Sequence, residues 1–128
     1  MTRTMKGAML LGPETIEIRD LPVPVPDDGE IVLSVEAATT CGTDVKVFKR
    51  GGHPRMLKVP TLFGHEMAGR VAALGKGVTK FKEGDAVVVA NSAPCGECDY
   101  CRRGRENLCT DLQYINGSFA EFIRVPAR

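Results

Sequence analysis

An all-β barrel or sandwich is the fold class this sequence predicts. Three observations carry that expectation. Short apolar runs, several alternating with polar residues at a period of two, recur along the chain. Turn-forming clusters separate them, drawn from eight Pro and fourteen Gly in 128 residues. A helix signal is convincing in one short segment only. The length suits a single domain over residues 1–128. With no Trp and five Phe, its core must be mainly Val, Leu, Ile and Ala.

Taken in order, residues 14–19 (ETIEIR) alternate and read as a strand. Residues 31–35 (IVLSV) follow the turn Pro26-Asp27-Asp28-Gly29 and form the next. Residues 43–49 are the helix candidate, with Thr43 or Asp44 as its cap. Residues 67–74 are small and apolar and end at Gly75-Lys76-Gly77. Residues 86–90, a continuous run of Ala and Val, follow the turn Glu83-Gly84-Asp85. Residues 117–125 (GSFAEFIRV) return to alternation.

Residues 94–111 break the pattern. They are polar and charged, with almost no aliphatic side chains. Such a segment cannot bury enough apolar surface to offset the ordering of its backbone. Four of the five cysteines lie in it, spaced C-x2-C-x2-C-x7-C: Cys95, Cys98, Cys101 and Cys109. The first three can wrap one ion and the fourth returns to close a tetrahedron. Four thiolates around zinc make a closed structural site, and its binding energy acts as folding energy for the loop. Arg102, Arg103 and Arg105 would offset the negative charge of that centre.

Other occupants fit less well. Iron–sulfur clusters also use C-x2-C-x2-C, but their fourth cysteine comes three residues on and precedes Pro. Here seven residues intervene and Thr110 follows. Two disulfides would require an oxidising compartment. A nucleic-acid zinc module would suit Arg102, Arg103 and Arg105, but 17 basic residues face 16 acidic ones. That balance gives no general attraction to nucleic acid or to an anionic membrane. The apolar run after Arg3 and Lys6 is too short for a secretory leader, and no run approaches a membrane span. A cytoplasmic protein with reduced thiols is the expectation, and structural zinc follows from it.

The fifth cysteine, Cys41, opens the stretch CGTD, and Gly64-His65-Glu66 comes 24 residues after it. Thiolate, imidazole and carboxylate are all zinc donors. On chemistry alone the alternatives stay open. Cys41 fits a small buried hydrophobe, and His65 a hydrogen-bonded structural residue, as well as a second metal site.

Residues 64–78, GHEMAGRVAALGKGV, match the pattern G-H-E-x2-G-x5-G-x2-V. CGTD lies upstream; KFKEGDAVVV (80–89), the four-cysteine segment and SFAEFIRVP (118–126) lie downstream. In that order they resemble the zinc-dependent medium-chain alcohol dehydrogenases, over essentially the whole chain. The resemblance implies a mainly β, GroES-like, partly open barrel with short helices and a zinc-bound four-cysteine lobe at 94–111. It implies that Cys41 and His65 are ligands of a catalytic zinc. Glu66 becomes a carboxylate able to approach or exchange onto the metal. Asp44 orients His65 through its other ring nitrogen. Thr43 carries the hydroxyl that takes the substrate proton. Gly69, Gly75 and Gly77 serve turns and close strand approach.

The implied reaction is oxidation of a primary or secondary alcohol, with zinc lowering the pKa of the bound hydroxyl and hydride passing to NAD or NADP. CGTD, with Gly42, is similar to the sorbitol and threonine dehydrogenase branch, which implies a polyol, sugar alcohol or hydroxy amino acid as small-molecule substrate. The full-length enzyme is expected to be a homo-oligomer with no nucleic-acid or membrane partner.

Two features depart from the resemblance. No G-x-G-x-x-G occurs in the chain, so the Rossmann cofactor domain is missing. The third protein ligand of the catalytic zinc is missing with it. The chain is therefore expected to be the N-terminal catalytic domain of a longer enzyme, inactive alone and holding its second zinc weakly. Lys46 stands where many relatives carry a histidine that ends the proton relay; a lysine is protonated at neutral pH and a poor acceptor. A solvated lysine on a short helix accounts for it equally well. His53, in GGHPR (51–55), reads as an ordinary loop histidine in preference to a border of the substrate cleft. The competing reading of the whole chain is a stand-alone zinc-binding module with a structural or interaction role.

Overall fold

The computed structural model describes residues 2–128. The chain opens with a hairpin of β1 (Thr4–Gly12) and β2 (Thr15–Pro22), paired from Thr4 with Pro22 to Gly12 with Thr15. The sequence reading above assigns no strand to β1, because its apolar run was weighed only as a leader. Met5 and Leu10 of β1 are nevertheless buried.

β2 corrects the opposite expectation. Its alternation does not bury a face: Ile16 and Ile18 are 41% and 67% exposed. The reason is position. β2 pairs only with β1, at the edge of a three-stranded sheet ordered β2-β1-β4, where β4 is Thr61–Leu62.

The second sheet has the order β6-β5-β3-β9. Its strands are β3 (Glu30–Ala38), β5 (Met67–Leu74), β6 (Ala86–Val89) and β9 (Phe122–Pro126). All its pairings are antiparallel. The two sheets are joined through a bridge from Gly7 to Ala120 and by Ala8 N–H donating to Phe119 O at 2.8 Å. The result is the expected GroES-like, partly open barrel. One open edge is β6, where Val88 is 83% exposed.

The core is aliphatic, as composition required. Ile31, Leu33, Met67, Val71, Ile123 and Val125 fill the space inside the four-stranded sheet. Leu10, Val47, Leu57 and Phe63 form a second cluster beneath the helix α1 (Gly42–Arg50). Each such side chain contributes about 1.5–3 kcal/mol on burial. Phe63 and Phe119 meet edge to face with centroids 5.6 Å apart. Gly75 packs against the Asp27 carbonyl so closely that any Cβ would collide with it.

The β3–β5 register positions the site. It runs from Ile31 with Leu74 to Ala38 with Met67. The end of β3 leads into Cys41 and the start of β5 follows His65, so this ladder sets the two segments side by side.

The four-cysteine segment projects from the barrel between β7 (Ser92–Ala93) and β8 (Gln113–Tyr114), which pair with each other. Within it lie one turn of helix, α2 (Asp99–Arg102), and a 3-10 turn at Glu106–Leu108. Arg128 Nε donates to Pro94 O at 2.8 Å and ties the base of the lobe to the barrel. Among the described residues, no helix is long and apolar enough to cross a membrane.

Candidate functional site

α1 begins one residue before the predicted start, and its cap is neither Thr43 nor Asp44. Cys41 is the N-cap, in extended conformation with φ −111° and ψ 176°. Its sulfur accepts from Thr43 N–H at 3.3 Å, and Asp44 Oδ2 accepts from Cys41 N–H at 3.0 Å. This is a capping box with a thiol in place of the usual hydroxyl. The sulfur is thereby held at the start of the helix by a backbone amide.

Asp44 has a second contact. Its Oδ1 lies 3.1 Å from His65 Nδ1, and both side chains are buried, at 2% and 5% exposure. The angle is poor for a hydrogen bond, since Oδ1 has no well-aligned donor. The distance and the burial still make it the natural acceptor for that nitrogen, because no other partner is within reach of Oδ1. With Nδ1 directed at Asp44, Nε2 is left facing Cys41 Sγ at 3.3 Å.

The backbone just before His65 is clamped. Gly64 takes φ +90°, and its carbonyl accepts from both Gly117 N–H at 2.8 Å and Ser118 N–H at 3.2 Å. A Cβ on Gly64 would strike the Ser118 hydroxyl and the Phe119 ring. The requirement for Gly in the GHE stretch thus follows from a left-handed backbone and a packed strap.

Donor atoms of Cys41, His65 and Glu66 lie within 4.8 Å of one another. Glu66 Oε2 also accepts from the hydroxyl of Thr39. His65, Glu66 and Thr39 line a cleft of about 350 Å³ whose other walls include Met67, Val88 and Asn91. The arrangement offers sulfur, nitrogen and oxygen donors on one side and open space on the other. That is the donor chemistry and openness a catalytic zinc uses.

Cys95, Cys98, Cys101 and Cys109 come together in the lobe, again with sulfurs within 4.8 Å of one another. All four are free thiols. Backbone amides point at the sulfurs: Glu97 and Cys98 N–H at Cys95 Sγ, both at 3.4 Å, and Cys95 N–H at Cys109 Sγ at 3.2 Å. The amides of Glu97 and Cys98 lower the Cys95 pKa. The amide of Cys101, then that of Thr110, lowers Cys98 to about 6. Cys101 is pushed up to about 12, first by burial, with the neighbouring sulfurs acting in the same direction. Four crowded sulfurs with backbone amides aimed at them are a donor set that a dication would complete.

Of the three lobe arginines, Arg103 pairs with Asp99 at 3.0 Å on the lobe surface. Lys46 is exposed on α1, as a solvated lysine would be. His53 closes its own loop: Nδ1 accepts from Arg55 N–H and Met56 N–H, both at 3.1 Å.

The family description "alcohol dehydrogenase GroES-like domain" matches residues 27–128. The chain belongs to that family. Sorbitol dehydrogenase of Bacillus subtilis is 36% identical to this GroES-like domain over 129 residues, covering 96% of the chain and 36% of the relative. L-threonine 3-dehydrogenase of Bacillus velezensis is 38% identical over 116 residues, covering 87% of the chain and 33% of the relative. Among solved structures, the cobalt- and zinc-bound thermostable alcohol dehydrogenase of Pyrobaculum aerophilum superposes with a TM-score of 0.87 at 31% identity, covering 98% of this chain and 40% of that one. The GroES-like domain thus spans about a third of the length of the curated relatives it matches. It falls among zinc-type medium-chain alcohol and polyol dehydrogenases.

Two features of the site were not read from the sequence. Thr39 lies outside every motif, and its contact with Glu66 follows only from the β3–β5 register. The strap at 117–119 was read as part of a strand, with no hint that it holds Gly64.

Proposed function

We propose that this domain is the zinc-binding catalytic portion of an NAD(P)-dependent alcohol or polyol dehydrogenase. The observation that carries the reading is the Cys41–His65–Glu66 triplet beside an open cleft, with Asp44 buried behind His65. A zinc ion held by those donors would supply a Lewis acid that polarises an alcohol oxygen and lowers its pKa.

The chain's own residues set up that chemistry. Asp44 directs the Nδ1 proton of His65 to itself and keeps Nε2 available as a donor. The helix cap holds the Cys41 sulfur with an amide trained on it. Thr43, half-buried in the first turn of α1, would carry the hydroxyl that takes the substrate proton. Glu66 is the carboxylate that can enter or leave the metal's surroundings. Val88, Val89 and Met67 give the cleft an apolar wall.

The four cysteines of the lobe hold a structural zinc in a closed set. Hydride transfer requires NAD or NADP, and the sequence contains no G-x-G-x-x-G turn to bind the pyrophosphate. We therefore expect the chain by itself not to turn over alcohol. The relatives' names point to polyols or hydroxy amino acids as substrate class, and reduced thiols suit a cytoplasmic enzyme, assembled as a homo-oligomer.

The test is metal counting on the whole chain and on Cys41→Ser. Zinc in both clusters of the parent, with only the more easily chelated ion lost in C41S, supports the reading. Zinc in the four-cysteine lobe alone would leave a structural module and overturn it. Steady reduction of NAD or NADP by the isolated chain would refute the expectation of inactivity.

A further inference from the structure

Thr39 stands two residues before Cys41 and belongs to none of the motifs that mark the site. Its backbone N–H donates to Glu66 O at 3.2 Å. That bond adds one more pair to the β3–β5 ladder beyond Ala38 and Met67. Opposed positions in an antiparallel pair bring their side chains together without any loop having to order itself. The Thr39 hydroxyl then donates to Glu66 Oε2. Both side chains line the same cleft as His65.

A carboxylate has two oxygens, and each can be either a metal ligand or a hydrogen-bond acceptor. With Oε2 bonded to Thr39, Glu66 is restrained in rotation, and its other oxygen is the one left to face a metal. A hydrogen bond donated by a neighbour to a ligating carboxylate fixes its orientation. We infer that Thr39 is a positioning residue that holds the Glu66 carboxylate toward the Cys41–His65 donors as a one-oxygen ligand.

The inference rests on the proposed reading of that triplet as a metal site. Its test is cobalt(II) binding to the whole chain, followed by optical absorption. The lobe, with four sulfur ligands, and the Cys41 site, with one, give separable sulfur-to-metal bands. Thr39→Val removes the hydroxyl and keeps the shape. The expected result is about 10- to 100-fold weaker cobalt binding at the Cys41 site, a shift in its band, and no change in the lobe. Thr39→Ser should restore binding. In a Glu66→Gln background, T39V should have no further effect, because Thr39 acts through that carboxylate.

The alternatives are distinguishable. T39V binding cobalt within about twofold of the parent overturns the role of Thr39. So does an equal loss in the E66Q background. If T39V disturbs the lobe as well, Thr39→Ala replaces it in the same cycle, with the same expected and overturning results. A parent chain that binds cobalt only in the lobe overturns the metal-site reading, and the inference with it.

Discussion

The two donor clusters are built in opposite ways. In the lobe, four sulfurs come from fifteen consecutive residues, and nearly everything between them is exposed. At the other cluster, Cys41 and His65 come from segments 24 residues apart, and the groups behind them are among the most buried in the molecule. The lobe has ligands and no core. The Cys41 cluster has a core and only three ligand residues. The contrast predicts that a metal organises the first, while the fold organises the second before any metal arrives.

Removing metal should give the largest difference. Stripping both ions with a strong chelator should abolish amide-exchange protection in residues 94–111 and leave β1, β3 and β5 protected. Loss of protection throughout the barrel would show that the contrast is false. Leu33→Ala tests it from the other side. Leu33 is fully buried, so its truncation should destabilise the barrel by about 2–5 kcal/mol in denaturant unfolding. The metal content of the lobe should be unchanged.

Asp44→Ala strikes the buried support of the second cluster. It strands the Cys41 N–H and the His65 Nδ1 proton, which should lower stability by about 1–3 kcal/mol. Metal binding at Cys41 and His65 should weaken by about 10- to 100-fold with the lobe unaffected. Equal weakening at both centres would argue against separate construction. The smallest effect belongs to the lobe surface. Arg103→Ala breaks an exposed i,i+4 pair with Asp99 and should change stability by no more than about 0.5 kcal/mol, with zinc retained. A loss of zinc in that variant would mean the arginines do balance the charge of the sulfurs.

Legibility followed the same division. Spacing alone exposed the lobe, because its ligands are neighbours in sequence. The strands at 31–35, 67–74 and 86–90 were legible from apolar patterning and turn residues, whereas of 117–125 only the part from Phe122 onward is strand. The strand at 14–19 was legible too, but its exposure on both faces was not, since alternation cannot show that a strand sits at a sheet edge. β1 was missed because an apolar run near the start of a chain has two readings, and only its pairing with β2 and β4 separates them. The helix cap was misplaced because cysteine is seldom weighed as a cap, although Asp44 three residues later completes the box.

The sequence by itself determined the fold class, the four-cysteine centre and the candidates Cys41, Thr43, Asp44, His65 and Glu66. Those depend on residue type, on short spacings and on motif order, all of which are local. Only the tertiary structure decided that Cys41 caps α1, that Asp44 divides its two oxygens between that cap and His65, that residues 117–119 clamp Gly64, and that Thr39 holds Glu66. All but the cap itself are contacts between segments distant in sequence, which strand register helps bring together, and register is settled by burial of the whole sheet face rather than by any one stretch of chain.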